Sequence, residues 1–390
     1  MADPTTTTTT TTDTKLFRPL HISPTLTTAH RIVMAPLTRL RNDASTHTPL
    51  PMAVSYYLQR ACVPGTLLIS EACQISPRHG GMPHAPGIWS AAHVAAWRAV
   101  VDAVHGAGCR IVCQLWAPGR AADAGVLERQ GQGEAFVSAS AVAMPGADGA
   151  PVPREMEEEE VWGAVRDFGD AARRAVVECG FDGVEVHGAN GYLVDQFLQD
   201  TCNRRTDGWG GSVERRARFA VEVVREVVRA LGGDAGKVGF RVSPWSTFQG
   251  MRMEDPVPQF TYLIKALREM GVGYLHVVES RVVNNEDKEK TEGIEFALEA
   301  WGKEKPVLVA GGFNGESAKK AVDEEYKDWD VGVVFGRYFL STPDLVYRLK
   351  NGLEPNPYDR STFYTPMQEK GYLDYPFSEE FEAEKTRVGA

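Results

Sequence analysis

Eight times along this 390-residue chain a short apolar, β-branched run is followed by a stretch of helical periodicity, and few architectures accommodate that repetition. The first four pairs are Arg31–Met34 with Pro51–Arg60, Thr66–Ser70 with Ala91–His105, Arg110–Leu115 with a helix opening at Glu155–Glu160, and Gly183–His187 with Ser212–Leu231. The series continues as Val238–Ser243 with Gln259–Met270, Tyr274–Val278 with Gly293–Trp301, Val307–Ala310 with Gly315–Glu325, and Val331–Phe335 with Pro343–Asn351. The strands are nearly all apolar, as strands covered on both faces must be, and no hydrophilic linker interrupts them. The pattern predicts an α/β fold, a parallel (β/α)8 TIM barrel rather than an open doubly wound sheet. In the helix opened by Ser212, Arg215 and Arg216 are expected on the exposed side.

A count of roughly 150 residues per domain would give two or three domains, but a barrel of about 250 residues or more is one unit. The surplus has assigned places. Residues 1–15 read as a disordered tail, because the run Thr5–Thr12 can bury nothing apolar. A single barrel domain spans 16–375, with a Gly-, Ala- and Pro-rich excursion at 117–154 and a C-terminal wrap after Asn351; residues 376–390 read as a polar tail.

Composition narrows the partners. The chain carries 42 basic and 52 acidic residues, a net charge of −10, and no Lys/Arg cluster marks a basic face, which argues against nucleic acid and anionic membrane. No uncharged apolar run reaches the ~18 residues of a membrane span, and no leader pattern is seen, so a soluble cytoplasmic protein is expected. The six cysteines follow no CxxC spacing and read as reduced, mostly buried thiols rather than disulfides or zinc ligands. His79, His84, His93 and His105 are scattered, no HExxH spacing occurs, and no metal site is expected.

In such a barrel the chemistry sits at the C-terminal ends of the strands. Thr38, Gln114, His187, Asn190, Arg241 and Arg337 fall at or just beyond those ends. His187 and Asn190, three apart in a turn, can converge two N–H donors on one carbonyl oxygen and so polarise it; alternatively a histidine there satisfies a backbone carbonyl. Tyr192 can deliver a proton nearby or simply pack. Gly311-Gly312 and Gly336-Arg337 follow strands seven and eight, where barrels often hold phosphate; glycines needed for tight turns are the plainer account. Arg241 lies among buried residues and needs an anionic partner, either a carboxylate or a bound cofactor. A GxGxxG dinucleotide fingerprint is missing.

From about Leu16 to Tyr375 the chain resembles the old yellow enzyme family of flavin-dependent ene-reductases. The resemblance rests on motifs in order: Ala35-Pro36-Leu37-Thr38-Arg39, Gln114-Leu115-Trp116, His187-Gly-Ala-Asn190-Gly-Tyr192, Asn203-Arg-Arg-Thr206-Asp207 with Gly210-Gly211-Ser212, Phe335-Gly336-Arg337, and Tyr358 through Phe363-Tyr364. It implies FMN, bound without a covalent link at the C-terminal face of the strands. Pro36, Leu37 and Ala72 would lie against the flavin, Thr38 would meet its O4, Gln114 its pyrimidine edge and Arg241 its N1/O2 side. Gly311, Gly312, Gly336 and Arg337 would form the phosphate site.

The implied reaction is ping-pong: NADPH or NADH reduces FMN, and an α,β-unsaturated aldehyde or ketone then takes the nicotinamide's place. His187 and Asn190 would grip the carbonyl of this small-molecule substrate, Tyr192 would protonate the α-carbon, and Trp116 and Tyr364 would shape the pocket. Such a reductase serves either general enone removal or one step of a secondary-metabolite route, as a monomer or homodimer. A flavin-dependent isomerase without net reduction is the alternative; it is the case resembled by members lacking the tyrosine, so Tyr192 argues for reduction. Three departures bear on pocket shape: Ala72 where many members have Gly, Gly312 where many have Asn, and a segment 279–291 without the aromatic often found there.

Overall fold

The computed structural model describes residues 14–146, 149–280 and 291–388, together with the backbone of Val282–Val283 and Glu286–Asp287. The run Thr5–Thr12 lies outside the described residues, as does most of the centre of segment 279–291. Eight parallel strands close into a barrel: β1 Ile32–Met34, β2 Leu67–Ile69, β3 Arg110–Trp116, β4 Gly183–Gly188, β5 Val238–Val242, β6 Tyr274–Val278, β7 Val307–Ala310 and β8 Val331–Phe335. Closure is made where Phe335 of β8 sits beside Met34 of β1, and each strand pairs in parallel with the next. The helices α1 Met52–Arg60, α2 Ala91–Gly106, α3 Glu158–Arg173, α4 Val213–Ala230, α5 Pro256–Glu269, α6 Glu295–Trp301, α7 Gly315–Lys320 and α8 Leu345–Asn351 form the outer ring.

The two-residue period of the strands divides the core. On β4, Val184 and Val186 join the layer between sheet and helices, while Glu185 and His187 take the inward positions. Inside, Val33, Leu67, Ile69, Val112, Leu308 and Val334 pack with Leu20, Ile22 and Leu26 of an N-terminal hairpin, which covers one end of the barrel. Burial rather than propensity holds the outer ring. Helix α4 contains six valines, poor helix formers by up to ~0.7 kcal/mol each, yet Val223, Val224 and Val227 are fully buried, a gain of about 1.5–3 kcal/mol apiece.

The structure corrects several expectations. Helix α3 starts at Glu158, because Arg154–Glu155 is held extended beside Val137–Ser138 and Glu157 caps the helix. Arg216 is buried, not exposed: its guanidinium donates to Gln259 Oε1 (2.9 Å) and to the carbonyl of Gly211. Pro256, with no N–H to lose, opens α5 three residues before the expected Gln259. The excursion 117–154 contains a helix, Ala124–Arg129, and the polar stretch 376–390 contains Glu379–Val388, whose Phe381 packs on Tyr347 at 5.2 Å. A helix that the strand-helix pattern gave no sign of, Leu193–Leu198, follows β4 directly. All six cysteines are free and five are buried.

Candidate active site

At the C-terminal end of the barrel lies a cavity of about 640 Å³. Pro36, Leu37, Thr38, Ala72, Gln114, Trp116, His187, Asn190, Tyr192, Arg241, Gly311, Gly312, Gly336, Arg337 and Tyr364 all line it, so the residues given a cofactor or substrate role from the sequence meet one another there. Gln114 is the one placed deeper than expected: β3 runs on to Trp116, which puts the glutamine within the strand, fully buried, with its side chain inside the barrel. Met82, Phe248, Phe313 and Tyr338 also line the cavity. Sequence reasoning missed them, because an apolar or aromatic side chain that lines a cavity looks in a sequence like one that packs in the core, even where, as with Tyr338 beside Arg337, a marked residue stands next to it.

The turn after β4 is held by its neighbours. Asn190 adopts a left-handed backbone (φ 57°), a conformation that asparagine tolerates better than most residues. Its N–H donates to Ser243 Oγ at 2.8 Å, and the next N–H, of Gly191, donates to the buried Asp195 carboxylate at 2.8 Å. The N–H of Ala189 points at His187 Nδ1 (3.3 Å), so Nδ1 is the acceptor and the proton belongs on Nε2. Burial, with Arg241 and His276 nearby, drives the His187 pKa well below its usual value. The ring is a neutral donor. Tyr192 stands edge-on to both His187 and Trp116, with ring centroids 4.9 Å apart in each case, and burial pushes its phenol up to about 12.

Beside Ala72, Glu71 is fully buried, and burial pushes its carboxyl up to about 7 against the opposing pull of Asn42 (3.2 Å), Arg39 and Arg41. A raised carboxyl holds its proton more tightly folded than unfolded, so stability is lost as pH rises from about 4.5 through about 7. Glu71→Gln should therefore match the parent in Tm near pH 5 and exceed it by a few degrees at pH 8. An offset equal at both pH values would contradict this assignment.

The donor set fits FMN. Arg241 has a buried Nε without a hydrogen-bond partner among the described residues, and its side chain opens on the cavity, where an anionic ring system would meet it. Gly312, at φ 66°, turns the backbone after β7 in a conformation that a side chain would strain, and it lines the cavity together with Arg337, where close backbone approach suits a phosphate. The fold and this cavity define an FMN-dependent oxidoreductase, with NAD(P)H as reductant and an activated C=C bond as the group reduced.

Comparison with known proteins gives the particular lineage. The chain belongs to the NADH:flavin oxidoreductase / NADH oxidase family, whose model matches residues 15–356, and within it to the old yellow enzymes. It is 54% identical over 369 residues to the chanoclavine-I aldehyde reductase of Penicillium roqueforti (strain FM164), covering 95% of this chain and 98% of that one. A probable inactive reductase of Epichloe festucae var. lolii is 50% identical, covering 95% and 97%. Among solved structures, the old yellow enzyme from Pichia sp. AKU4542 superimposes with a TM-score of 0.85 at 36% identity, covering 94% of each chain. No helix among the described residues is long and apolar enough to cross a membrane.

Proposed function

We propose that this enzyme reduces the C=C bond of an α,β-unsaturated aldehyde or ketone of secondary metabolism, with His187 and Asn190 as the carbonyl clamp and Tyr192 as the proton donor. The observation that carries the reading is the tautomer of His187: neutral, with Nδ1 engaged by Ala189 N–H, it offers Nε2–H to a substrate oxygen beside the Asn190 amide. Two donors on one carbonyl draw electron density from the conjugated alkene and leave its β-carbon electrophilic. Thr38, Gln114 and Arg241 would hold the flavin ring, with Pro36, Leu37 and Ala72 against it, and Gly311, Gly312, Gly336 and Arg337 would hold its phosphate. Bound there, FMN supplies the hydride chemistry between NAD(P)H and the alkene.

Relatives named an aldehyde reductase and a probable inactive reductase stand at nearly the same identity, so overall likeness does not separate reduction from its alternatives. Tyr192 does. Its phenol, kept protonated by burial, supplies the proton that net reduction requires and that an isomerisation without net proton uptake does not. Trp116, whose indole N–H is buried without a partner among the described residues, and the exposed Tyr364 would set which substrates enter.

The test uses phenols, whose oxyanions imitate the polarised carbonyl oxygen. Titrating the yellow protein with a para-substituted phenol should give a long-wavelength band, and His187→Ala or Asn190→Ala should weaken the affinity tenfold to a hundredfold, the loss of about 1.5–3 kcal/mol from one charged hydrogen bond. Unchanged phenol affinity in both variants would remove the clamp.

A further inference from the structure

One layer below the cavity, inside the barrel, Glu185 is completely buried and accepts three hydrogen bonds. Gln114 Nε2 donates to Oε1 at 2.8 Å, while the Tyr274 hydroxyl (3.1 Å) and His276 Nδ1 (2.9 Å) donate to Oε2. Strand register brings these groups together. Gln114, Glu185, Gly239 and Tyr274 pair in sequence across β3, β4, β5 and β6. At Gly239 a Cβ would lie 2.0 Å from Tyr274 Cζ, so the missing side chain is the space through which the tyrosine ring crosses β5 to reach the carboxylate. In the next register layer His187, Arg241 and His276 pair in turn, which sets Arg241 above the carboxylate on the cavity side.

The charges of this layer are legible. Burial works against an ionised Glu185, but the hydrogen bonds from His276 and Gln114, with the charge of Arg241, outweigh it and hold the carboxyl below its usual range. Burial keeps His276 neutral, with its proton on Nδ1 facing the carboxylate. For Arg241, burial lowers the pKa and Glu185 is the first influence opposing it. One fixed anion therefore faces one fixed cation, and it is the cation that borders the cavity. The carboxylate also takes one of the two hydrogens of Gln114 Nε2, which holds the amide in one orientation and leaves Oε1 and the second N–H as what that glutamine can offer.

We infer that Glu185 is a positioning residue of the flavin site: it balances the positive charge that Arg241 presents to the cofactor and holds the Gln114 amide in one orientation. The inference rests on FMN occupying the cavity with Arg241 and Gln114 at its pyrimidine edge. Without the carboxylate, Arg241 would be uncompensated and would favour the more negative, two-electron reduced flavin over the oxidised one.

The measurement is the midpoint potential of the bound flavin in the holoprotein, taken by equilibration with a reference dye. Glu185→Gln should raise it by about 30 mV or more, equivalent to at least tenfold tighter relative binding of the two-electron reduced state. The rate of bleaching by NADPH should rise, and the rate of recolouring by an enone should fall. Glu185→Asp, whose carboxylate retreats by one methylene, should move the potential the same way by less. A residue that only supports the fold would lower Tm and FMN affinity in these variants without raising the potential. A potential at or below the parent's in whichever variant folds overturns the inference, as does failure of both variants to fold. A colourless parent protein would instead strike at FMN occupancy itself.

Discussion

Tyr192→Phe is expected to leave bleaching of the yellow protein by NADPH unchanged and to slow its recolouring by cyclohexenone by ~10²–10⁴-fold, the usual worth of a positioned proton donor. The two halves separate because of where the phenol stands. Its ring is edge-on to His187 and Trp116, and it is no part of the cradle assigned to the flavin ring or phosphate. Hydride arrival from a nicotinamide needs no proton from it. Saturation of an alkene does, since the α-carbon must be protonated after the β-carbon receives hydride. With the phenol pushed up to about 12, the proton is present at every practical assay pH, so the parent's enone step should stay level from about pH 6 to about pH 9. Equal slowing of both halves in Tyr192→Phe would contradict the donor role, and recolouring at the parent rate would move the proton to another group.

What the sequence made legible and what it hid divide along a physical line. The turn Val184-Glu185-Val186-His187-Gly188-Ala189-Asn190 announces itself, since polar groups at the end of an apolar strand have few reasons to be there, and the structure brings them to one cavity with the other residues named in advance. The same string contains Glu185, an acid in the middle of a buried strand, and that oddity was the available signal for the charge layer beneath. Its partners could not be read, because Gly239 and Tyr274 meet it only through the register of three strands. Arg216 was placed on the wrong side of its helix for a similar reason: its partner, Gln259, lies 43 residues on. Arginines that bind backbone carbonyls are the hardest case, since a carbonyl leaves no mark in a sequence.

Three such arginines make the second large prediction. Arg39, Arg41 and Arg60 are buried to 1% exposure, and together they grip the C-terminal wrap that carries Phe363 and Tyr364 to the cavity. Arg41 alone donates to the carbonyls of Thr362 (2.8 Å), Phe363 (2.9 Å), Gln368 (3.1 Å) and Lys370 (3.1 Å). Arg39 adds Phe363 (3.1 Å) and Gly371 (2.6 Å), and both cations lie 5.2 Å from the Tyr372 ring, which itself stacks on Tyr56 at 4.1 Å. Burial, then the like charge of Arg39, lowers the Arg41 pKa to about 10, still high enough to keep it charged.

Arg41→Ala would leave three of its four wrap carbonyls without their arginine donor, Phe363 alone keeping Arg39, at a cost of about 3–5 kcal/mol. Spread over the whole barrel that cost would lower Tm by roughly 6–20 °C, at ~2–4 °C per kcal/mol for domains approaching this size. The clasp holds one segment, however, so the sharper expectation is local. Trypsin should cut at the exposed Lys370 well before the barrel melts, and KM for the enone should rise as Tyr364 leaves the cavity while bleaching by NADPH changes less. Arg41→Lys should not rescue, because an ammonium cannot fork to carbonyls on both sides of the segment as the planar guanidinium does. If Arg41→Ala kept the parent's Tm and its resistance at Lys370, the wrap would be held by the packing of Tyr372 and Phe363 alone, and the arginines would be bystanders to it.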